Sequence, residues 1–337
     1  LAAHLSDGDI LIDLAWNIDL TELLDWCRGH NVRYLNTSVE LWDPYDTAAD
    51  TSPPERTLYW RHMKLRRQIA AWGDNAGPSA VVEHGANPGL VSHFVKQALM
   101  EIGDAVLRDG HLPERHEAIR GAMDSEQFNV LAQQLDVKVI HVAERDTQIS
   151  RQPKEVGEFV NTWSVDGFYE EGVAPAELGW GTHERELPPN GYLHTGEGPC
   201  NQICIARPGM ETWVRSWVPS GETRGMVIRH GEAFTMSDHL TVRDERGAQV
   251  GGNRERLDPI ELRPRSVRLS LAHATQARGR HAAFRDELLH PRLVHARPAA
   301  AGAPRRALIF QAAMHGAIFP IPVDQRADAF FNRGVRA

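Results

Sequence analysis

Three stretches of this chain carry side chains suited to handling protons or cations. In 226-MVIRHGEAFTMSDHL-240, His230 and Glu232 stand two apart, so on a strand they share one face. Such a pair serves either as a surface ion pair or as a proton-handling couple, because His titrates near neutral pH. Trp163 in NTWSV lies on a strand pattern, where a ring is either core or a face for a cation. Against a desolvated ammonium such a face contributes about 2 kcal/mol. In 81-VVEHGANPGLVSHFVKQAL-99, Asn87 precedes Pro88 and Gly89 at a strand-to-helix corner. Pro is tolerated at a first helical position, and the residue before it is pushed to extended geometry. The corner reads as a helix start capped by Asn87, or as a turn at the carboxyl edge of a parallel sheet, where ligands sit.

The elements that must position these residues follow from periodicity. Residues 9–15 (DILIDLA) and 32–37 (VRYLNT) read as short buried strands, and VVEHGA as a third. Leu20, Leu23, Leu24 and Trp26 mark an amphipathic helix starting near Thr21, and residues 56–72 mark a second. Alternating strands and helices predict a doubly wound parallel sheet. No G-x-G-x-x-G follows any strand, so the expected unit is the second half of a Rossmann-like sheet. Trp16, Asn17 and Asp19 follow the first strand and Thr37 and Ser38 the second, at the carboxyl ends where a nicotinamide belongs. Residues 90–135 read as a helical link. From about residue 136, short β-rich runs separated by Gly/Pro turns predict an α+β domain with a mostly antiparallel or mixed sheet.

Composition bounds the chemistry. A chain of 337 residues holds two ordinary domains, and 42% apolar with 24% charged residues is a soluble globular balance. No apolar run reaches the roughly 18–20 residues of a membrane span. The net charge of −8 argues against nucleic acid and favours a cationic ligand. Acids crowd the middle of the chain, from Glu144 through Glu155, Glu158, Asp166, Glu170, Glu171, Glu177 and Glu184 to Glu186, and most of them read as solvated surface. Cys27, Cys200 and Cys204 form a sparse, odd set, which points to a reducing cytoplasm without a disulfide framework. Cys200 and Cys204 lack a second Cys/His pair, so no metal is expected. The chain begins with Leu1 and shows no signal-peptide pattern, which reads as a fragment or processed product.

DILIDLAWNID, LNTSVELWDPY, EHGANPGLVSHFVKQAL, NTWSVDGFYEEGVAPAELGWGTHE and MVIRHGEAFTMSDHL together resemble bacterial homospermidine synthase, of the saccharopine-dehydrogenase-like group. The likeness runs from about residue 5 to about 242. It implies a dimeric enzyme that holds NAD and joins two putrescine molecules, or spermidine and putrescine, into homospermidine, with ammonia released where putrescine is the donor. By resemblance, Glu144, Trp163, Glu171, His230 and Glu232 match active-site positions, with Asp19 and Asn87 at the cofactor edge. Contacts to the cofactor from Asn17, Thr37 and Asn87 are expected. Carboxylates, an aromatic face and a histidine suit a reaction in which a diamine carbon gives up hydride, the resulting imine exchanges its amine, and hydride returns. The implied organisation is a partial dinucleotide-binding domain over 1–89 and a substrate domain over 90–243.

Two departures from the family pattern shape further expectations. The Gly-rich first strand–turn–helix that cradles the pyrophosphate is missing, so the chain as given is expected to bind NAD poorly. After about Arg243 the composition becomes Arg, Ala, Pro and His with no Lys. Codons for RPRSVRLS permit a one-base shift that reads GPVRYAY, close to the family's continuation. Residues 244–337 are therefore expected to be a frameshifted tail, poorly structured. Two other readings remain. One is a saccharopine- or carboxynorspermidine-type reductase, which needs Arg or Lys beside the site to hold a carboxylate. The other is a catalytically inactive fragment.

Overall fold

The computed structural model describes residues 1–15, 17–39, 51–74, 76–145, 156, 158–161, 164–181, 183–218 and 221–243. It adds strand backbone at 268–273, 292–295, 307–314 and 317–318, and within 143–145, 158–161 and 216–218 and at 221 and 223 likewise only the backbone is described.

The first unit alternates β1 (Ile10–Asp13), α1 (Leu20–Gly29), β2 (Arg33–Asn36), α2 (Leu58–Ala71) and β3 (Ala80–Val81). The three strands pair in parallel in the order β1-β2-β3, with Ile12 opposite Leu35 and Leu35 opposite Val81. Leu20, Leu24 and Cys27 of α1 and Leu65 of α2 pack with Val32 and Tyr34 into one core. The reading of the first strand as buried is corrected on its other side: Ile10 and Ile12 are 48% and 55% exposed. The third strand is also shorter than VVEHGA, because Glu83 takes a left-handed φ of 57° and ends the extended run.

Helix starts are set by named caps. Asp19 caps α1, its Oδ1 accepting from the Thr21 and Glu22 N–H groups at 2.8 and 3.1 Å. Thr57 caps α2 through the Trp60 N–H. The long α3 (Leu90–Asp109) begins at Gly89, so Asn87 is not its cap and Pro88 is not its first residue. Gly89 has φ 116°, and a Cβ there would lie 2.7 Å from His84 Cα and 2.8 Å from the Gly85 nitrogen. Only glycine closes this corner.

Helices α3, α4 (His116–Asp124) and α5 (Phe128–Gln134) then lead into the second unit. Val91, Val95, Leu99, Ile102 and Val106 line one face of α3 and enter the largest core with Ile119, Leu131 and Leu135. That core also takes Val142 of β4 (Val139–Arg145), Phe168 of α6 (Val165–Val173), Met226 of β10 (Gly221–Val227) and Met236 of α7 (Gly231–His239). A three-stranded antiparallel sheet, ordered β6-β8-β7, comprises β6 (Pro175–Gly179), β7 (Gly191–Leu193) and β8 (Gln202–Pro208). Strand β10 pairs antiparallel with β9 (Trp213–Val218) in a second, mixed sheet. The expected α+β unit with mixed pairing is therefore present.

Four strands lie within 244–337, where the sequence predicts a poorly structured tail. β11 (Arg268–His273) runs parallel to β4, and β13 (Ala307–Met314) antiparallel to it. β12 (Arg292–His295) pairs with β5 (Glu158–Asn161), and β14 (Ala317–Ile318) with β13.

Candidate active site

The carboxyl ends of the parallel strands open on a cavity of about 290 Å³. From the first unit it is lined by Leu14 and Ala15 after β1, Thr37 to Val39 after β2, and Glu83 with Gly85 to Pro88 after β3. The second unit contributes Ser164, Gly167, Glu170 and Glu171 from the start and body of α6, and Arg229 to Gly231 before and at the start of α7. The cavity thus lies at a sheet edge between two units, the place where α/β folds bind ligands.

His230 and Glu232 are the centre of the arrangement. The strand expected for them is corrected: His230 is the N-cap of α7 and Glu232 sits in its first turn. They nevertheless meet, because Glu232 Oε2 bonds His230 Nδ1 within the turn. Both are almost wholly buried. Burial opposes charge on His230, but Glu232, then Glu171 and Glu83, outweigh it and hold the imidazole's pKa at about 9. Burial would raise Glu232, but the His230 cation and the Gly89 N–H keep it below its ordinary value. That N–H donates to Glu232 Oε1 at 2.8 Å, so a carboxylate 143 residues away caps the start of α3 in place of Asn87. One side chain therefore fixes both the histidine and the Asn87 loop.

The remaining expected residues divide. Glu171 lines the cavity from within α6. Thr37 and Asn87 also line it, and Thr37 Cγ2 would be 3.3 Å from a Cβ placed on Gly85, so the floor is closed by a small residue. Asp19 is occupied as the cap of α1, and neither it nor Asn17 lines this cavity. Glu144 lies on β4, opposite His273 and Leu308, and its side chain is outside the described residues. Trp163 and Trp16 also lie outside them.

Sequence reading missed the buried charges that frame the site. Arg61 of α2 and Arg229 both bond Glu170 Oε1. The same arginines donate to the Val39 and Arg56 carbonyls at 3.0 and 3.1 Å. Burial would raise the Glu170 pKa, but the two guanidinium groups bring it to about 2. Two arginines therefore line the cavity, yet Glu170 engages both. The available signal was adjacency: Arg229 precedes His230 and Glu170 precedes Glu171. Among the described residues no group of three or more His, Cys, Asp or Glu is placed to hold a metal. No helix among them is long and apolar enough to cross a membrane.

The residues at the strand ends fit a nicotinamide cofactor. A small-residue floor at Gly85 and Ala86 admits a planar ring, and the Asn87 amide offers the donor and acceptor that a carboxamide requires.

Comparison with known proteins agrees. Residues 1–81 match the saccharopine dehydrogenase NADP binding domain, and residues 85–250 match the saccharopine dehydrogenase C-terminal domain. The chain is 39% identical to a homospermidine synthase of Mesorhizobium japonicum over 238 residues, 70% of this chain and 47% of the relative. It is 40% identical to a homospermidine synthase of Blastochloris viridis over 244 residues, 71% of this chain and 48% of the relative. A crystal structure of the homospermidine synthase from Legionella pneumophila in complex with NAD superposes with a TM-score of 0.67 at 29% identity, covering 94% of this chain and 61% of that one. The chain spans about half the length of the curated relatives it matches. With two adjoining domains of one family side by side, it belongs to the saccharopine dehydrogenase family, as a homologue of bacterial homospermidine synthases.

Proposed function

We propose that this chain carries the nicotinamide side and the substrate side of an NAD-dependent homospermidine synthase. In this reading two putrescine molecules are joined with release of ammonia, or spermidine passes its aminobutyl group to putrescine with release of 1,3-diaminopropane. The observation that supports it most is the gathering of Asn87, Glu171 and His230 around one cavity at the carboxyl edge of β1–β3. The working unit in this reading is a homodimer in a reducing cytoplasm, with a domain boundary near residue 89 and polyamines, not nucleic acid or membrane, as partners.

When bound, NAD supplies the acceptor for a hydride from the amine-bearing carbon and later returns it. The chain's own residues do the rest. Glu171 attracts an ammonium into a water-poor site, where charge attraction is stronger than in bulk. His230, held protonated, donates a proton to the departing amine, and Glu232 keeps its ring oriented. Asn87 positions the carboxamide against the loop that Glu232 fixes. Trp163 keeps the role implied by resemblance, its ring facing the iminium, and Glu144 the active-site position so implied.

The reductase alternative loses support because Arg61 and Arg229 are both engaged by Glu170 and so are not poised for a substrate carboxylate. Incubation of the full-length enzyme with putrescine and NAD, followed by chromatography of the polyamines, tests the reading. Homospermidine and ammonia in equal amounts are expected, with Glu171→Gln and His230→Gln each lowering the rate roughly 100-fold or more. Reduction of an amino-acid imine in place of diamine coupling would establish the reductase. No product and no diamine binding would establish an inactive chain.

A further inference from the structure

Glu83 has no part in the site as expected from sequence, yet among the described lining residues it is the non-glycine one in a left-handed conformation. It is a non-glycine residue at φ 57°, directly after β3, and it is 9% exposed. Residues hold such a conformation only where surrounding contacts over-determine it, and they cluster at functional sites. Here the contacts are explicit. The Glu83 N–H donates to Asn36 Oδ1 at 2.9 Å, and the His84 N–H to the Asn36 carbonyl at 2.9 Å. Asn36 Nδ2 in turn donates to the Tyr34 hydroxyl at 3.2 Å, which donates to Asp13 Oδ2 at 2.6 Å. A buried polar chain from β1 through β2 therefore ends at this one residue after β3.

The side chain is fixed as firmly. Glu83 Oε2 lies 2.9 Å from Nε2 of His62, a buried residue of α2 whose ring packs on Phe234 at 4.9 Å. On the other side any Cβ at position 231 would overlap the Glu83 carboxylate, so Gly231 is the residue that lets it lie against the His230 turn. Glu83 itself lines the cavity and is one of the carboxylates that keep His230 charged.

We propose that Glu83, backed by His62, is a substrate-binding carboxylate that pairs with one alkylammonium of a diamine in this cavity. The inference rests on the diamine reading above and deepens it. Glu170 is committed to Arg61 and Arg229, and Glu232 to His230 and Gly89, so neither is disposed toward a second cation. A dication needs two anionic partners, and Glu83 joins Glu171 as the second carboxylate on the cavity wall. Its strained, doubly braced backbone sets where that ammonium sits and hence which chain length is accepted.

The test is calorimetric binding of 1,4-diaminobutane and of butylamine to the chain, the Glu83→Gln variant and the Glu83→Asp variant, with melting curves to establish folding. The wild-type chain is expected to prefer the diamine. Glu83→Gln should weaken diamine binding roughly 10- to 100-fold, the range of one charged hydrogen bond, and change butylamine binding far less. A folded Glu83→Gln variant that keeps the full preference for the diamine overturns the inference and leaves the proposed function standing. A wild-type chain that binds no diamine overturns both. Should Glu83→Gln fail to fold, Glu83→Asp decides. It keeps the charge but withdraws it by one methylene, so several-fold weaker diamine binding supports the role and unchanged binding overturns it.

Discussion

Glu177 Oε2 accepts a hydrogen bond from the Leu58 N–H at 2.7 Å, across 119 residues of sequence. Its Oε1 takes the Tyr59 N–H at 3.1 Å and the Gln202 amide at 2.6 Å. A fully buried carboxylate on β6 thus caps α2 of the first unit, supplementing the Thr57 cap. The N-terminus of a helix is where a negative charge is stabilised by aligned peptide dipoles. The bond also holds α2, with Arg61 and His62 on it, against the second unit.

Glu177→Ala should therefore lower stability by about 3 kcal/mol or more, because it orphans two backbone donors and one amide in the interior. Glu177→Gln should recover part of the loss, since it restores one acceptor. Urea unfolding midpoints measure both. Equal stability in all three proteins would contradict the cap.

The Arg61–Glu170–Arg229 triad predicts an acid limb. The folded pKa of Glu170 is about 2 against an ordinary 4.5, so its stabilisation is complete above 4.5 and is lost as pH falls from there to about 2. Glu170→Gln should flatten that limb. At neutral pH it should cost about 3–5 kcal/mol, since two buried cations lose their partner. Chemical unfolding between pH 2 and 7 provides the check.

His230 should remain protonated through neutral pH and titrate near about 9 in imidazole NMR spectra. The sign follows from a raised folded pKa: its contribution to stability is complete below 6.5 and disappears as pH rises through about 9. Glu232→Gln removes the main charge that offsets burial, so the titration should fall well below about 9, with Glu171 and Glu83 still opposing burial. A His230 signal already neutral at pH 7 in the wild-type chain would refute the pairing.

Gly89→Ala should be far more damaging than a typical Gly→Ala change. Its φ of 116° strains any side chain, and the added carbon meets His84 and Gly85 backbone. A loss of roughly 3 kcal/mol is expected, together with displacement of Asn87. Thermal melting and diamine calorimetry report the two effects separately. Gly110→Ala, where a Cβ meets nothing within 4 Å, serves as the control for left-handed φ alone.

For Trp163, the iminium-sheltering role implied by resemblance predicts that turnover in the full-length enzyme falls in the order Trp, Phe, Ala. The loss at Ala should be about 2 kcal/mol, roughly 30-fold. An Ala variant with a lower melting temperature but normal turnover per folded molecule would assign the ring to the core.

The sequence by itself determined the parallel strand–helix alternation of the first unit, because apolar periodicity is local. It also determined the family, through five blocks whose residues stand together, and so pointed to Glu171, His230, Thr37 and Asn87, which the fold brings to one cavity. Periodicity failed at α6 and α7, whose short spans are buried on more than one side and so show no clean helical stripe. The partners were decided only by tertiary structure. Arg61 meets Glu170 across 109 residues, Leu58 meets Glu177 across 119, and Gly89 meets Glu232 across 143. In each case a buried carboxylate takes a donor that only the folded chain carries to it. Glu83 is the extreme case: nothing in VVEHGA distinguishes it from the end of a strand, and its left-handed turn exists because Asn36, His62 and Gly231 leave it no other place.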